Sequence, residues 1–310
     1  MNSAVLVTGA NGHLGRRLLQ QPGQWVAVVR SQRALAALPV GPNIRQCVLD
    51  YADSRALGEA MQGCAAAINL VGIIKESRAN GFEQAHEHTA QALVAAAAHA
   101  GLARILQLSI VGATPRSSNA CLASKGRADA LLMRGATPAL VLRLPMVLGE
   151  GDYASFALAK RARANYALTF RAQSLEQPIY AGDVVQALLN ALALPLPASE
   201  ALDLGGPTSL SRRALTERAA SSMGRKAPVI ISLPMRVGMG MAAIMELIAG
   251  VSGGAAPVTR AMLGVLDHDD AIDPLPACAR LGLQLTSLQQ TLLHCLPPTS
   301  ASGHADIRGQ

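Results

Sequence analysis

The sequence predicts an α/β fold: a doubly wound parallel Rossmann sheet followed by a smaller C-terminal lobe. Three observations predict it. The chain opens on an apolar strand, a glycine-punctuated turn and a helix, "VLVTGANGHLGRRLL" from Val5 to Leu19. Strand-like and helix-like apolar segments then alternate along the first two-thirds of the chain, a rhythm that implies parallel strands with helices on both faces. Finally, 310 residues with 50% hydrophobic and 15% charged side chains can bury a large core, as one big domain or two modest ones.

The elements follow in order. Val5 to Val7 reads as a buried strand, Gly12 to Gln20 as a helix ended by Pro22 and Gly23, Trp25 to Val29 as the second strand and Ile44 to Leu49 as the third. Asp53 is the expected N-cap of a helix to Met61, and Ala65 to Val71 is a strand. The alanine-rich segment Phe82 to Ala100 reads as a long helix stopped by Gly101. A strand over Arg104 to Ser109, a helix over Leu122 to Met133 and a strand over Ala139 to Leu144 complete the pattern. The expected division places residues 1–150 and 176–195 in a dinucleotide-binding domain, 151–175 and 196–298 in the lobe, and 299–310 in a frayed tail.

Composition excludes several classes. A net charge of +7 invites a nucleic-acid partner, but only 3% of residues are aromatic and no run of five or six basic residues builds a stacking groove, so no nucleic acid is expected. The charge suits an anionic cofactor or an anionic membrane surface equally well. Five cysteines without a C-x-x-C pair, and no signal-peptide pattern at the start, point to a reducing, cytoplasmic setting. No uncharged apolar run reaches the length of a membrane span. The nearest, Val237 to Val251, is interrupted by Glu246 and reads either as a helix that lids a pocket or as a Met-rich face for a bilayer or lipophilic ligand.

The opening turn has a chemical reading. Gly9, Gly12 and Gly15 form T-G-x-x-G-x-x-G between a strand and a helix, where glycines permit the tight turn, the approach of a pyrophosphate and close helix packing. Asn11, His13 and Leu14 complete the loop. Sites for NAD(H) place a carboxylate at the end of the second strand, for the ribose hydroxyls. Here that position is Arg30, with Arg33 a turn later, and the first acidic residue of the chain is Asp50. A guanidinium fork suits a 2′-phosphate, so NADP(H) is favoured over NAD(H). Asp50, at the end of the third strand, is placed to approach the adenine edge or to cap the next helix.

The segments "VTGANGHLG", "VLDYAD" (which contains Tyr51), "INLVGIIKE", "HTAQALVAAAAHAG", "LQLSIVGA", "LVLRLPMVLGEGD" and "QPIYAGDVVQALLNAL" succeed one another in a way that resembles the extended and atypical short-chain dehydrogenase/reductases. The chain is most similar to the branch that includes the alpha-subcomplex subunit nine of respiratory complex I. The resemblance implies that Asn69, Leu70 and Val71 line the ribose-nicotinamide end of the cofactor and that Pro145 sets backbone against the carboxamide; Tyr51 is a further candidate cofactor-binding residue. It also implies a Ser-Tyr-Lys site, in which Lys binds the ribose and tunes the phenol that exchanges a proton with substrate. The matching segment here is "CLASK": Lys125 is present, Cys121 stands in the Tyr position, and Ser109 matches the serine. A thiol is a poor hydrogen-bond donor and a different acid from a tuned phenol.

Two further features carry alternatives. His86, Glu87 and His88 resemble part of a zinc helix, but H-E-x-x-H needs a second His where Ala90 stands, so no metal is expected and the three residues should cap or face solvent. The basic stretch Lys160 to Arg171 reads as a solvated helix face or as a surface for anionic lipid, cofactor phosphate or an acidic partner. Three functional readings stay open: an NADP(H)-dependent reductase with an unidentified small or lipophilic substrate under the C-terminal lobe; a non-catalytic NADPH-binding protein of a respiratory or membrane-associated assembly; and a nucleotide-sugar epimerase or dehydratase. The expected location is cytoplasmic, with a peripheral position on the inner face of the membrane compatible with the charge.

Overall fold

The computed structural model describes residues 3–77, 80–252, 254 and 256–296, so the expected tail lies outside the described residues. Its centre is a seven-stranded, all-parallel sheet. The strands are β1 (Ala4–Thr8), β2 (Trp25–Val29), β3 (Ile44–Val48), β4 (Cys64–Asn69), β5 (Arg104–Ile110), β6 (Ala139–Leu144) and β11 (Glu200–Asp203), in the order β11-β6-β5-β4-β1-β2-β3. The inner strands β1 and β2 are apolar on both faces because helices cover both. One layer holds α1 (His13–Leu19), α7 (Ala181–Ala193) and α11 (Leu275–Leu281); the other holds α3 (Ser54–Ala60), α4 (Thr89–Ala100) and α5 (Ala120–Met133). The short α2 (Gln32–Leu35) follows β2 and is capped by Ser31. The strand order reverses between β1 and β4, and a parallel sheet opens its binding crevice at the carboxyl ends of such a pair.

Local chemistry explains the boundaries. Asp53 accepts from the N–H groups of Arg55 and Ala56 and so starts α3, as its position predicts. Gly101 closes α4 at φ +67°, a conformation that costs glycine least. The expected single helix from Phe82 is in fact two elements, a π-helix over Glu83–His88 followed by α4.

The lobe consists of β7 (Val147–Leu148), α6 (Tyr153–Arg163), β8 (Tyr166–Phe170), β9 (Leu175–Glu176), β10 (Ile179–Tyr180), β12 (Leu210–Ser211), α8 (Arg212–Ser222), β13 (Val229–Leu233), α9 (Met235–Ser252), α10 (Arg260–Val265) and α12 (Leu288–Cys295). α6, α8 and α12 pack a small core of their own. Beside it, the Arg212 guanidinium meets the Glu176 carboxylate at 2.9 Å with both side chains buried. Two segments assigned by sequence to the lobe return to the main sheet: β11 pairs with β6 as its edge strand, and α11 packs on α7. Among the described residues no helix is long and apolar enough to cross a membrane.

Candidate functional site

The glycine turn lies at the crevice between β1 and β4. Gly9 stands at φ +71°, and a Cβ there would lie 2.9 Å from the Leu70 carbonyl carbon, so the turn presses against the backbone leaving β4. A Cβ on Gly15 would come within 2.5 Å of the Ala10 carbonyl oxygen, which makes glycine the condition for seating α1. Gly12 differs. A Cβ there would meet only the Gly9 oxygen, at 3.2 Å, and otherwise project into open space. Asn11, Gly12 and His13 are exposed, Leu14 is half-buried, and α1 has neither a side-chain cap nor an acidic residue in its first turn. Its leading N–H groups are left for an anion, and this cradle fits a pyrophosphate.

The side of the crevice expected to take the adenosine is organised around Tyr51. Its buried hydroxyl accepts from the Gly9 N–H at 2.9 Å and donates to the Val28 carbonyl at 3.0 Å, so it ties the turn to β2 from behind. The Arg30 guanidinium lies over the Tyr51 ring, 5.7 Å from its centroid, and donates to Asn80 Oδ1 at 2.9 Å. Arg30 is thereby held at the crevice mouth, with Arg33 exposed in the first turn of α2. Asp50 accepts from the Ala52 N–H at 3.0 Å and stays exposed; capping of α3 falls to Asp53.

The side expected to take the nicotinamide lies at the ends of β4 and β5. Asn69 is buried and accepts from the Thr8 hydroxyl at 2.7 Å and the Val71 N–H at 3.1 Å, while its amide donates to Gln107 at 2.7 Å. It braces the crevice floor. Leu70 is half-buried, Val71 is buried, and Pro145 is half-buried just beyond β6. Lys125 is buried on α5 and donates to the Val71 carbonyl at 2.9 Å and the Leu108 carbonyl at 2.8 Å, which uses two of its three donors. Burial lowers its pKa to about 8, against the raising influence of Asp129.

The other two residues of the expected site are turned toward the protein. Ser109 donates to Asp129 Oδ2 at 2.6 Å. Cys121 is buried and directs its thiol to the Ile73 carbonyl at 3.3 Å, and burial pushes its pKa up to about 11, so at neutral pH it is a thiol. Asp129, which the sequence reading missed, also lies 3.7 Å from the Arg143 guanidinium. The spacing of Cys121, Lys125 and Asp129 at every fourth residue of one helix is the signal that could have found it.

His86 corrects an expectation. It is buried, stacks on Phe82, and accepts from the Ile73 N–H at 3.1 Å. Burial lowers its pKa to about 3, with Lys125 adding to the effect, so it is neutral. Glu87 faces Arg127 and the Ser124 hydroxyl, and only His88 is exposed. A cavity of about 560 Å³ opens next to the start of α5, lined by Glu76, Phe82, Glu246, Ala249, Ala256 and Ala261. Its tie to α5 is direct: the Phe82 carbonyl accepts from Ser124, and the Ala261 carbonyl from Asn119.

Residues 9–169 match the family described as NAD(P)H-binding, slightly more than half of the chain. The mitochondrial NADH dehydrogenase [ubiquinone] 1 alpha subcomplex subunit 9 of Arabidopsis thaliana is 28% identical over 249 residues, which cover 76% of this chain and 62% of that protein. The ceramide reductase of Caulobacter vibrioides is 32% identical over 178 residues, 55% of this chain and 54% of its own length. The chain thus spans less than two-thirds of the length of both curated relatives. Among solved structures, MoeE5 in complex with UDP-glucuronic acid and NAD superposes with a TM-score of 0.70 at 19% identity, over 94% of this chain and 97% of that one. That likeness is one of fold.

Proposed function

This chain belongs to the NAD(P)H-binding family in its atypical short-chain dehydrogenase/reductase form, and on that premise we propose that it binds NADP(H) as an oxidoreductase for a lipophilic carbonyl or alcohol. The observation that carries the cofactor preference is Arg30: the position that holds a carboxylate in NAD(H) sites carries a guanidinium, braced on Tyr51 and Asn80 beside the glycine turn. The nicotinamide, when bound, supplies or accepts hydride. Asn69 braces the floor of the crevice, and Tyr51 ties the glycine turn to β2 from behind. Lys125 has one donor left for a ribose hydroxyl and is the ionisable side chain suited to hold the proton for a substrate oxygen, because Cys121 and Ser109 are directed at Ile73 and Asp129. The lipophilic substrate is supported by the alanines and Phe82 of the adjoining cavity and by the name of the ceramide reductase relative.

A second reading has its own support. With both the thiol and the serine hydroxyl engaged by protein acceptors, the chain could keep NADPH as a structural element of a respiratory or other membrane-associated assembly, as the likeness to a complex I subunit suggests. Loss of a positioned general acid typically removes a factor of about 10²–10⁴ in rate, so slow NADPH oxidation with simple aldehydes, ketones and short quinones fits both readings. Single-turnover oxidation of bound NADPH by a long-chain ketone separates them, since the structural reading requires none. The test of cofactor choice is titration. NADPH should bind at least about tenfold more tightly than NADH, a gap of roughly 1.4 kcal/mol, and Arg30→Asp should shrink or invert it. Equal affinities in the parent protein would remove the assignment. A cytoplasmic location is part of the same proposal and is checked by cell fractionation.

A further inference from the structure

The C-terminal lobe turns an apolar surface outward. On α9, Val237, Met241, Ile244, Leu247 and Ile248 are 45%, 47%, 60%, 70% and 60% exposed. Val237, Met241, Ile244 and Ile248 follow i, i+4, i+7 and i+11, a single stripe, while Met235, Gly238 and Ala242 on the other side are buried. The two-stranded β8–β13 ribbon repeats the theme at strand spacing: Tyr166 pairs with Val229 and Leu168 with Ile231, and all four are exposed. Phe170 shares the face of Tyr166 and Leu168, and α9 comes so close to its ring that a Cβ on Gly238 would lie 2.8 Å from it. The helix therefore rises from the exposed side of the ribbon.

The segments that carry this surface are rich in positive charge, although Arg171 is paired with Asp267 and Asp269 and the α9 carboxylate Glu246 is paired with Arg260. Residues 153–172 contain Lys160, Arg161, Arg163 and Arg171, residues 223–245 contain Arg225, Lys226 and Arg236, and neither stretch contains an Asp or Glu. Arg163, Arg225, Lys226 and Arg236 are exposed; the Arg225 guanidinium reaches the Arg163 carbonyl at 3.4 Å, so Arg163, Arg225 and Lys226 gather where the ribbon strands begin, while Arg236 lies beyond the end of β13, in the first turn of α9. Soluble monomers rarely leave so continuous an aliphatic face to water.

We propose that this face docks the protein on an anionic phospholipid bilayer, with the α9 stripe and the ribbon at the headgroup boundary and the four exposed cations against lipid phosphates. An aliphatic stripe flanked by exposed cations is the pattern that binds such surfaces in the plane of the interface. The inner side of α9 supplies Glu246 and Ala249 to the cavity wall, so the docked helix separates that cavity from the lipid. This goes beyond the cofactor reading and does not depend on it.

The test is sedimentation of the full chain with vesicles of phosphatidylcholine alone and of phosphatidylcholine with about a third phosphatidylglycerol. Binding should be at least about tenfold stronger on the anionic vesicles and should weaken as ionic strength rises from about 0.05 M to 0.5 M. Ile244→Asp combined with Leu247→Asp should abolish it, as should Arg225→Glu with Lys226→Glu, while NADPH titrations on the same samples stay unchanged. That control reads docking separately from cofactor binding. Equal binding to both vesicle types, binding retained in the α9 variant, or a dimer in solution lost in that variant without any vesicle binding would each overturn the proposal, the last by assigning the face to a second copy.

Discussion

Tyr51 shows how one side chain sets the geometry of the crevice. Its hydroxyl joins the Gly9 N–H to the Val28 carbonyl; Val28 is fully buried and Gly9 half-buried. Tyr51→Phe keeps the ring under Arg30 and removes the hydroxyl alone. Leaving the buried Val28 carbonyl unpaired costs about 1–3 kcal/mol, so denaturant melts should show that loss and NADPH titrations a weaker affinity as the turn loosens. Unchanged affinity would mean that the turn holds itself. Lys125 is the second such residue. Burial lowers its pKa to about 8; Asp129 and Cys121 on its own helix and His86 on the neighbouring π-helix are the titratable groups that face it. The ammonium prevails below that value and the amine above it. If Lys125 gives the proton in a reduction, the rate should fall as pH rises through about 8 and rise again when the buffer is returned to neutrality. A flat profile over the same interval would exclude Lys125 as the proton donor.

At the scale of elements, three glycines in one turn have three separable tasks. Gly12→Val should leave the fold intact, because the added Cβ meets only the Gly9 oxygen, and should abolish NADPH binding by filling the space of the pyrophosphate. Gly15→Val would act on folding instead: its Cβ would stand 2.5 Å from the Ala10 carbonyl in a buried contact, at a cost of about 1–3 kcal/mol or more. Melting curves paired with titrations distinguish the two, and a fully stable Gly15→Val would contradict the packing. The same contrast marks what was legible in the sequence. The Rossmann alternation, the glycine turn and the Asp53 cap all depend on a few neighbouring residues, so periodicity and local chemistry disclose them. The burial of His86, the π-helix beneath it and the Ser109–Asp129 pair depend on what packs across from them. β11 and α11 were hidden for the same reason, since four residues of edge strand and one short helix carry no mark of which layer they join.

At the scale of the whole molecule, lobe and sheet are tied at several distant points. Asp183 at the start of α7 accepts from both the N–H and the hydroxyl of Thr286, at 2.8 and 2.7 Å. Tyr180 donates to Glu150 at 2.6 Å, and Glu150 also pairs with Arg17 on α1. Asn119 at the start of α5 donates to Ala261 in α10. Unfolding the lobe alone would break all of these and strip α7 and α1 of partners, so the described residues should unfold together. The protein has one tryptophan, Trp25, buried in β2 of the main sheet, which makes its fluorescence a reporter of the sheet alone. Heating followed by Trp25 fluorescence and by far-ultraviolet circular dichroism should therefore give coincident midpoints. NADPH at about one hundred times its dissociation constant should move both midpoints upward together, in line with roughly 2.7 kcal/mol of added stability. If the dichroism signal fell first, and NADPH shifted only the fluorescence transition, the lobe would be a separately melting unit and the ties at Asp183, Glu150 and Asn119 too weak to couple it to the sheet.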